Sequence, residues 1–108
     1  MSRLPTDSLA FALLHAAQAV AAVGAGRSLA DGLPAGVPAS ARPAVQDLTY
    51  STLRRFGRDD FFLDRLLAQP LSEPVVHALL LVALQRLETR PQAAHVTVDQ
   101  AVEAAGHL

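Results

Sequence analysis

The stretch from Leu9 to Val23, LAFALLHAAQAVAAV, carries the clearest structural signal in the chain. Apolar residues recur in it every three or four positions, at Leu9, Leu13, Ala16, Val20 and Val23, which is the spacing of one face of an α-helix. The segment Thr6–Ser8 supplies side-chain oxygens that can cap the start of this helix. Gly24 and Gly26 favour its end, because glycine adopts the left-handed conformation without a Cβ clash. The stretch therefore predicts an amphipathic first helix.

Helical spacing continues along the rest of the chain, and no segment shows the alternation of a β-strand. Nearly every side of Val75–Leu87 is apolar, which predicts that this segment is the central, buried helix of the fold. Prolines, glycines and capping residues divide the chain into about six helices. Beyond the first, they are predicted over Leu29–Leu33, from Ser40 through Phe56, around Phe62–Leu67, from Ser72 to Pro91 with Pro74 in the first turn, and after a capping box at Thr97–Gln100.

The composition fits a single helical domain without enzymatic machinery. The chain has 108 residues, of which 51% are hydrophobic, and it contains no cysteine. Disulfides, thiolate zinc sites and cysteine nucleophiles are therefore excluded. The four histidines have no metal-ligand spacing, and no phosphate loop or nucleophile motif is present. We thus expect no catalytic residue, no metal ligand and no cofactor in this chain, and the lack of an export signal predicts a cytoplasmic protein.

The charges are balanced overall but unevenly distributed. Nine arginines face ten acidic residues, lysine is absent, and the net charge of −1 gives no general electrostatic reason to bind nucleic acid. Arg54, Arg55 and Arg58 nevertheless cluster within about one helical turn. Guanidinium groups bind phosphates and stack on bases, so this cluster is the best candidate for RNA contact. The alternative is a solvated helix face whose arginines pair with nearby aspartates.

Three segments, taken together, resemble one known family. Gly26–Pro34 (GRSLADGLP) is similar to that family's G-x-S-L-x-x-x-L-P segment, and Leu48–Arg54 (LTYSTLR) is similar to its L-x-Y-G-x-L-R helix. Leu79–Leu84 (LLLVAL), followed by His95–Val102 (HVTVDQAV), is similar to its L-L-L-x-x-L and H-A-x-V-N-E-x-V segments. The family is that of the NusB-like RNA-binding domains. The similarity extends from about Leu9 to Leu108 and favours the version fused to ribosomal RNA cytosine-5 methyltransferases of the Sun/RsmB type.

This resemblance implies an all-α bundle of two packed helical subdomains. It also implies that residues 1–108 are a noncatalytic, N-terminal fragment of a longer protein, because the family continues into another helix. Methyl transfer from S-adenosylmethionine would belong to the downstream domain, and this chain would help to hold the ribosomal RNA. The implied partners are ribosomal RNA, the protein's own downstream catalytic domain and a ribosomal protein, with neither DNA nor a membrane among them.

Two sets of residues follow from the charge pattern and the resemblance. The expected RNA contacts are Arg54, Arg55, Arg58, Arg27 and Arg3. The expected motif residues are Tyr50, Leu53, His95, Thr97 and Asp99. We expect Tyr50 to pack between subdomains, with base stacking as the alternative, and His95 to fix the loop before the last helix. Arg54 has two open roles, which are to bind phosphate or to bond the carbonyls at a helix end.

Two other functions remain open at this stage. One is a helical protein-interaction module in which RNA binding is weakened or lost, which is favoured by the net charge and by Ala12, where the family often has an arginine. The other is a free-standing transcription antitermination factor.

The last predicted helix carries an apolar stripe that a further helix covers in the family. This stripe consists of Val98, Ala101, Val102 and Ala105. We expect part of it to be exposed.

Overall fold

The structure, a computed structural model, describes residues 3–26, 36–55 and 73–108. These residues are 76% helical and include no strand, so the predicted helical class is confirmed. They form four α-helices, where about six were expected in the whole chain. The predicted helices at Leu29–Leu33 and Phe62–Leu67 lie outside the described residues. The helices are α1 (Leu9–Gly24), α2 (Arg42–Arg55), α3 (Pro74–Thr89) and α4 (Ala94–Ala105), with a 3-10 turn at Pro91–Ala93 before α4.

Both ends of α1 form as the sequence predicts. Ser8 is the N-cap, and its Oγ accepts a hydrogen bond from the Phe11 N–H at 3.1 Å. This bond satisfies one of the donors that the first turn leaves without a partner. After the helix, Gly26 has a φ of 96°, a conformation that costs little only for glycine. Local residues therefore determine where α1 begins and ends.

The central helix of the described fold is α1, and the expectation that Val75–Leu87 is central and buried is wrong. Ten residues of α1 are buried, and this helix contacts each of the other three. Its many alanines have short side chains, so neighbouring helices can approach it on several sides. By contrast, α3 buries one face and leaves Leu80 64% exposed. An apolar helix surface does not by itself show which of its sides other helices cover.

One face of α2 packs on the core and the other faces solvent. Val45, Leu48, Thr49 and Thr52 are buried. Both threonine hydroxyls donate to the carbonyl four residues earlier, at 2.7 and 2.8 Å, so their burial leaves no donor without a partner. The helix begins at Arg42, slightly later than a cap at Ser40 predicts. This packing fixes which residues of α2 reach solvent.

The last helix begins earlier than predicted, and the capping box is wrong. The 3-10 turn leads directly into α4 at Ala94, so Thr97 lies inside the helix and not at its N-cap. Its hydroxyl donates to the Ala93 carbonyl at 3.1 Å. Gln100, the other half of the predicted box, accepts the Ala10 N–H of α1 at 3.2 Å. The Thr97 side chain thus bonds to the residue just before α4, and the Gln100 side chain joins α4 to α1.

The buried apolar residues of the described segments form one continuous core. A division into two subdomains is therefore not visible in this part of the chain. As expected, the apolar stripe of α4 is partly open, with Val98 52% and Val102 69% exposed.

Candidate nucleic-acid interface

The solvent-facing side of α2 places an aromatic ring one turn before an arginine. Tyr50 is 44% exposed and Arg54 is exposed, and residues four apart lie on the same helix face. The expected packing of Tyr50 between subdomains is therefore wrong, because the opposite side of α2 faces the core. Leu53 is half-buried and packs against that core, which anchors the end of the helix. The face thus presents a stacking surface and a cation together.

Arg55, next in the chain, forms the ion pair that joins α2 to α3. Its Nη2 donates to Glu88 Oε2 at 2.5 Å, and both side chains are exposed. An exposed pair of this kind contributes little to stability, typically about 0–1 kcal/mol. Its structural consequence is that the C-terminal ends of α2 and α3 lie side by side. Arg55 therefore keeps one acidic neighbour, which an incoming phosphate has to displace.

The other predicted contact and motif residues are dispersed or lie outside the described segments. Arg3 is exposed near the start of α1, and Arg27 and Arg58 are outside the described residues. His95 is an exposed residue of α4, so its expected role in a loop is wrong. Asp99 is exposed too and accepts a hydrogen bond from Gln100 Nε2 at 3.1 Å. Among the described residues, the predicted set therefore converges only at the end of α2.

A second arginine site, which the sequence did not predict, lies between α3 and α4. Arg86 Nε donates to Thr97 Oγ1 at 3.1 Å, and Thr97 is fully buried. The Thr97 hydroxyl is itself fixed by its bond to Ala93, so it holds the guanidinium in one orientation. The partners are eleven residues apart and belong to different helices, and no sequence motif marks such a pair.

The charge of Arg86 is poorly compensated within the described segments. Burial lowers the pKa of Arg86, the charge of Arg90 lowers it further, and Asp47 on α2 acts in the opposite direction. Asp47 lies three residues before Tyr50 and seven before Arg54, on the same exposed face of α2. No carboxylate of the described residues lies within ion-pair distance of Arg86. This guanidinium is thus half-buried and oriented by Thr97, and Arg90 follows it one turn later in the chain.

An open groove of about 960 Å³ lies at the N-terminal end of α1. Its wall includes Arg3, Phe11, His15 and His107. The rings of Phe11 and His15 are 4.1 Å apart at an angle of 40°. Burial lowers the pKa of His15, and its enclosed Nδ1 has no hydrogen-bond partner among the described residues. The neutral imidazole is therefore the favoured form of this side chain.

The described segments contain no group of three or more histidine, aspartate or glutamate side chains placed to bind a metal. No helix within those segments is both long and apolar enough to cross a membrane.

Comparison with known proteins supports a family assignment. The sequence profile of the NusB family matches residues 10–108, which is nearly the whole chain. Searches of the curated proteins and of the solved structures gave no significant match.

Proposed function

Because the chain belongs to the NusB family, we propose that it is a noncatalytic RNA-binding domain that contacts RNA through the C-terminal half of α2. The observation that carries this proposal is the exposed face on which Tyr50 precedes Arg54 by one turn, with Arg55 beside them.

This combination of side chains suits single-stranded RNA. Unpaired bases stack on aromatic rings, and arginine binds phosphate through two parallel hydrogen bonds. Tyr50 would stack on one base, while Arg54 and Arg55 would bind the adjoining phosphates. The net charge of −1 predicts weak, salt-sensitive binding, because few cations release few counterions.

The test compares Arg54→Gln/Arg55→Gln with the control Arg42→Gln. Arg42 is exposed at the opposite end of α2, about 18 Å away along the helix axis. We expect the double variant to bind a 20-nucleotide single-stranded RNA of mixed sequence about tenfold more weakly at low salt, equivalent to about 1.4 kcal/mol. The slope of log Kobs against log salt should flatten by about 1.4, which corresponds to two lost phosphate contacts.

Binding is measured by fluorescence anisotropy, and circular dichroism checks that each variant remains helical. A double variant that binds RNA with the affinity and salt slope of the parent chain would rule out this surface. A matching loss in Arg42→Gln would mean that general charge, and not this face, determines the affinity.

We further propose that the RNA is ribosomal and that the domain serves a cytosine-5 methyltransferase. The support is the similarity of Gly26–Pro34 to the corresponding segment of the fused version of the family. The decisive observation is the coding sequence that follows Leu108. A nucleotide-binding sheet with paired cysteines there would support the methyltransferase, and a stop codon would favour an antitermination factor. The isolated chain should transfer no methyl group from S-adenosylmethionine to RNA.

Protein interaction is the second candidate function, and the exposed valines of α4 favour it. Val98 and Val102 lie one turn apart, and both are more than half exposed. Exposed apolar surface of this kind marks contacts with other proteins when it is contiguous. A chain that binds no RNA at low salt, yet associates through these valines, would support this function over RNA binding.

A further inference from the structure

The side chain of Arg86 is arranged unlike an ordinary surface arginine. Its Nε–H is bonded to a fully buried threonine hydroxyl, so its position depends on the packing of α4 against α3. No described residue accepts a hydrogen bond from its two terminal amino groups. Among the described residues this half-buried cation has no anionic partner. Such an arrangement is unfavourable, and an anion supplied from outside stabilises it.

Arg90 provides a second guanidinium group one helical turn further along the chain. It is the C-cap residue of α3, one turn after Arg86, and it is exposed. The Arg90 N–H donates to the Arg86 carbonyl at 2.8 Å, and the charge of Arg90 contributes to the lowered pKa of Arg86. Two guanidinium groups that repel each other in the free protein are both stabilised when one anion lies between them.

We infer that Arg86 and Arg90 form a subsite for one backbone phosphate of the bound RNA, a contact outside the α2 surface. This inference rests on the proposed function, since it assumes that RNA is the ligand. Phosphate is the appropriate anion because its oxygens can accept hydrogen bonds from both guanidinium groups. Asp47 lies on the same face of α2 as Tyr50, and its charge also acts on Arg86. Its carboxylate therefore influences both the α2 surface and the Arg86 subsite.

These arginines have a competing structural role. Arg86 lies in the last turn of α3, where cations offset the partial negative charge of the helix end. That role predicts that changes at Arg86 or Arg90 alter stability and leave RNA affinity unchanged. The phosphate subsite predicts a change in affinity and in its salt dependence.

The experiment uses Arg90→Gln and Asp47→Asn, with Arg42→Gln as the control. The probe is the 20-nucleotide RNA described above, titrated by anisotropy at several salt concentrations. We expect Arg90→Gln to flatten the salt slope by about 0.7, the value for one phosphate contact with a single strand. We expect Asp47→Asn to tighten binding roughly two- to threefold, the effect of removing one like charge several ångströms away in water.

A second measurement follows the Arg86 Nε–Hε resonance by NMR. It should shift when RNA is added to the parent chain and shift less in Arg90→Gln, while inorganic phosphate at matched ionic strength should give a much weaker effect. An unchanged salt slope in Arg90→Gln would overturn the subsite. A resonance that responds to inorganic phosphate and not to RNA would also overturn it, because the anion would then be free phosphate.

The two proposals can fail separately. If Arg54→Gln/Arg55→Gln weakens RNA binding and Arg90→Gln does not, the α2 surface stands and the subsite is wrong. If no variant changes binding, the proposed function itself is wrong.

Discussion

The hydrogen bond from the Ala10 N–H to Gln100 Oε1 allows a quantitative test of how α4 stabilises α1. Replacing Gln100 by alanine removes the acceptor at 3.2 Å and leaves a donor on a residue that is only 1% exposed. A lost hydrogen bond costs about 0.5–1.5 kcal/mol, and a buried donor without a partner costs about 1–3 kcal/mol. Ser8 still caps Phe11, so only one donor loses its partner. We therefore expect a loss of about 1–2 kcal/mol in the free energy of unfolding.

The matched control is Gln46→Ala, because Gln46 is exposed on α2 and the substitution changes helix propensity by the same amount. In urea unfolding followed by circular dichroism, the midpoint of Gln100→Ala should lie about 0.5–1 M below that of the parent chain, for a typical m-value of 2 kcal/mol/M. The Tm should fall by about 4–8 °C. Gln100→Glu retains an acceptor beside the helix N-terminus and should stay within about 0.5 kcal/mol of the parent chain.

Hydrogen exchange adds a local measurement, since the Ala10 amide should lose protection in Gln100→Ala and keep it in Gln46→Ala. The reasoning would be refuted if Gln100→Ala unfolded at the same urea concentration as the control with its Ala10 amide still protected. In that case the 3.2 Å contact would contribute nothing to the docking of α4.

Three other outcomes follow from the packing and the charges. Leu13→Ala, at a fully buried position, should cost about 2–5 kcal/mol in urea unfolding, whereas Leu80→Ala, at a 64% exposed position, should cost less than about 0.5 kcal/mol. Because burial lowers the pKa of His15, stability should be complete above its ordinary pKa of 6.5 and fall as the pH drops towards the folded-state value; His15→Phe should flatten this dependence in thermal melts. Val98→Ser/Val102→Ser should reduce self-association in sedimentation experiments, and a parent chain that is monomeric at high concentration would contradict this expectation.

The elements that the sequence predicts well are those whose determinants lie close together in the chain. Ser8 and Phe11 are three residues apart, so the cap of α1 is visible as a local pattern. Gly26 lies two residues after the end of the same helix and has a positive φ. Periodicity likewise identifies the buried side of α2, because its residues recur on one helical face.

The elements that the sequence predicts poorly depend on partners that are distant in the chain. Thr97 and Gln100 have the spacing of a capping box, but their partners are Arg86 on α3 and Ala10 on α1. The side of α3 that carries Leu80 is as apolar as its buried side, and only the placement of neighbouring helices separates the two. For the candidate interface, the sequence identified the arginines of α2 but not Arg86, whose orientation depends on a buried hydroxyl of another helix.

The bond between Ala10 and Gln100 also affects the order in which the chain can fold during its synthesis. The two residues are 90 positions apart, and a ribosome adding 5–20 residues per second needs about 5–18 s to make the residues between them. Throughout that interval α1, the apolar centre of the fold, has emerged without α4 to cover it. The nascent chain therefore carries α1, the most apolar of the described helices, without α4 for most of this interval, which makes α1 the segment that a ribosome-associated chaperone would have to protect.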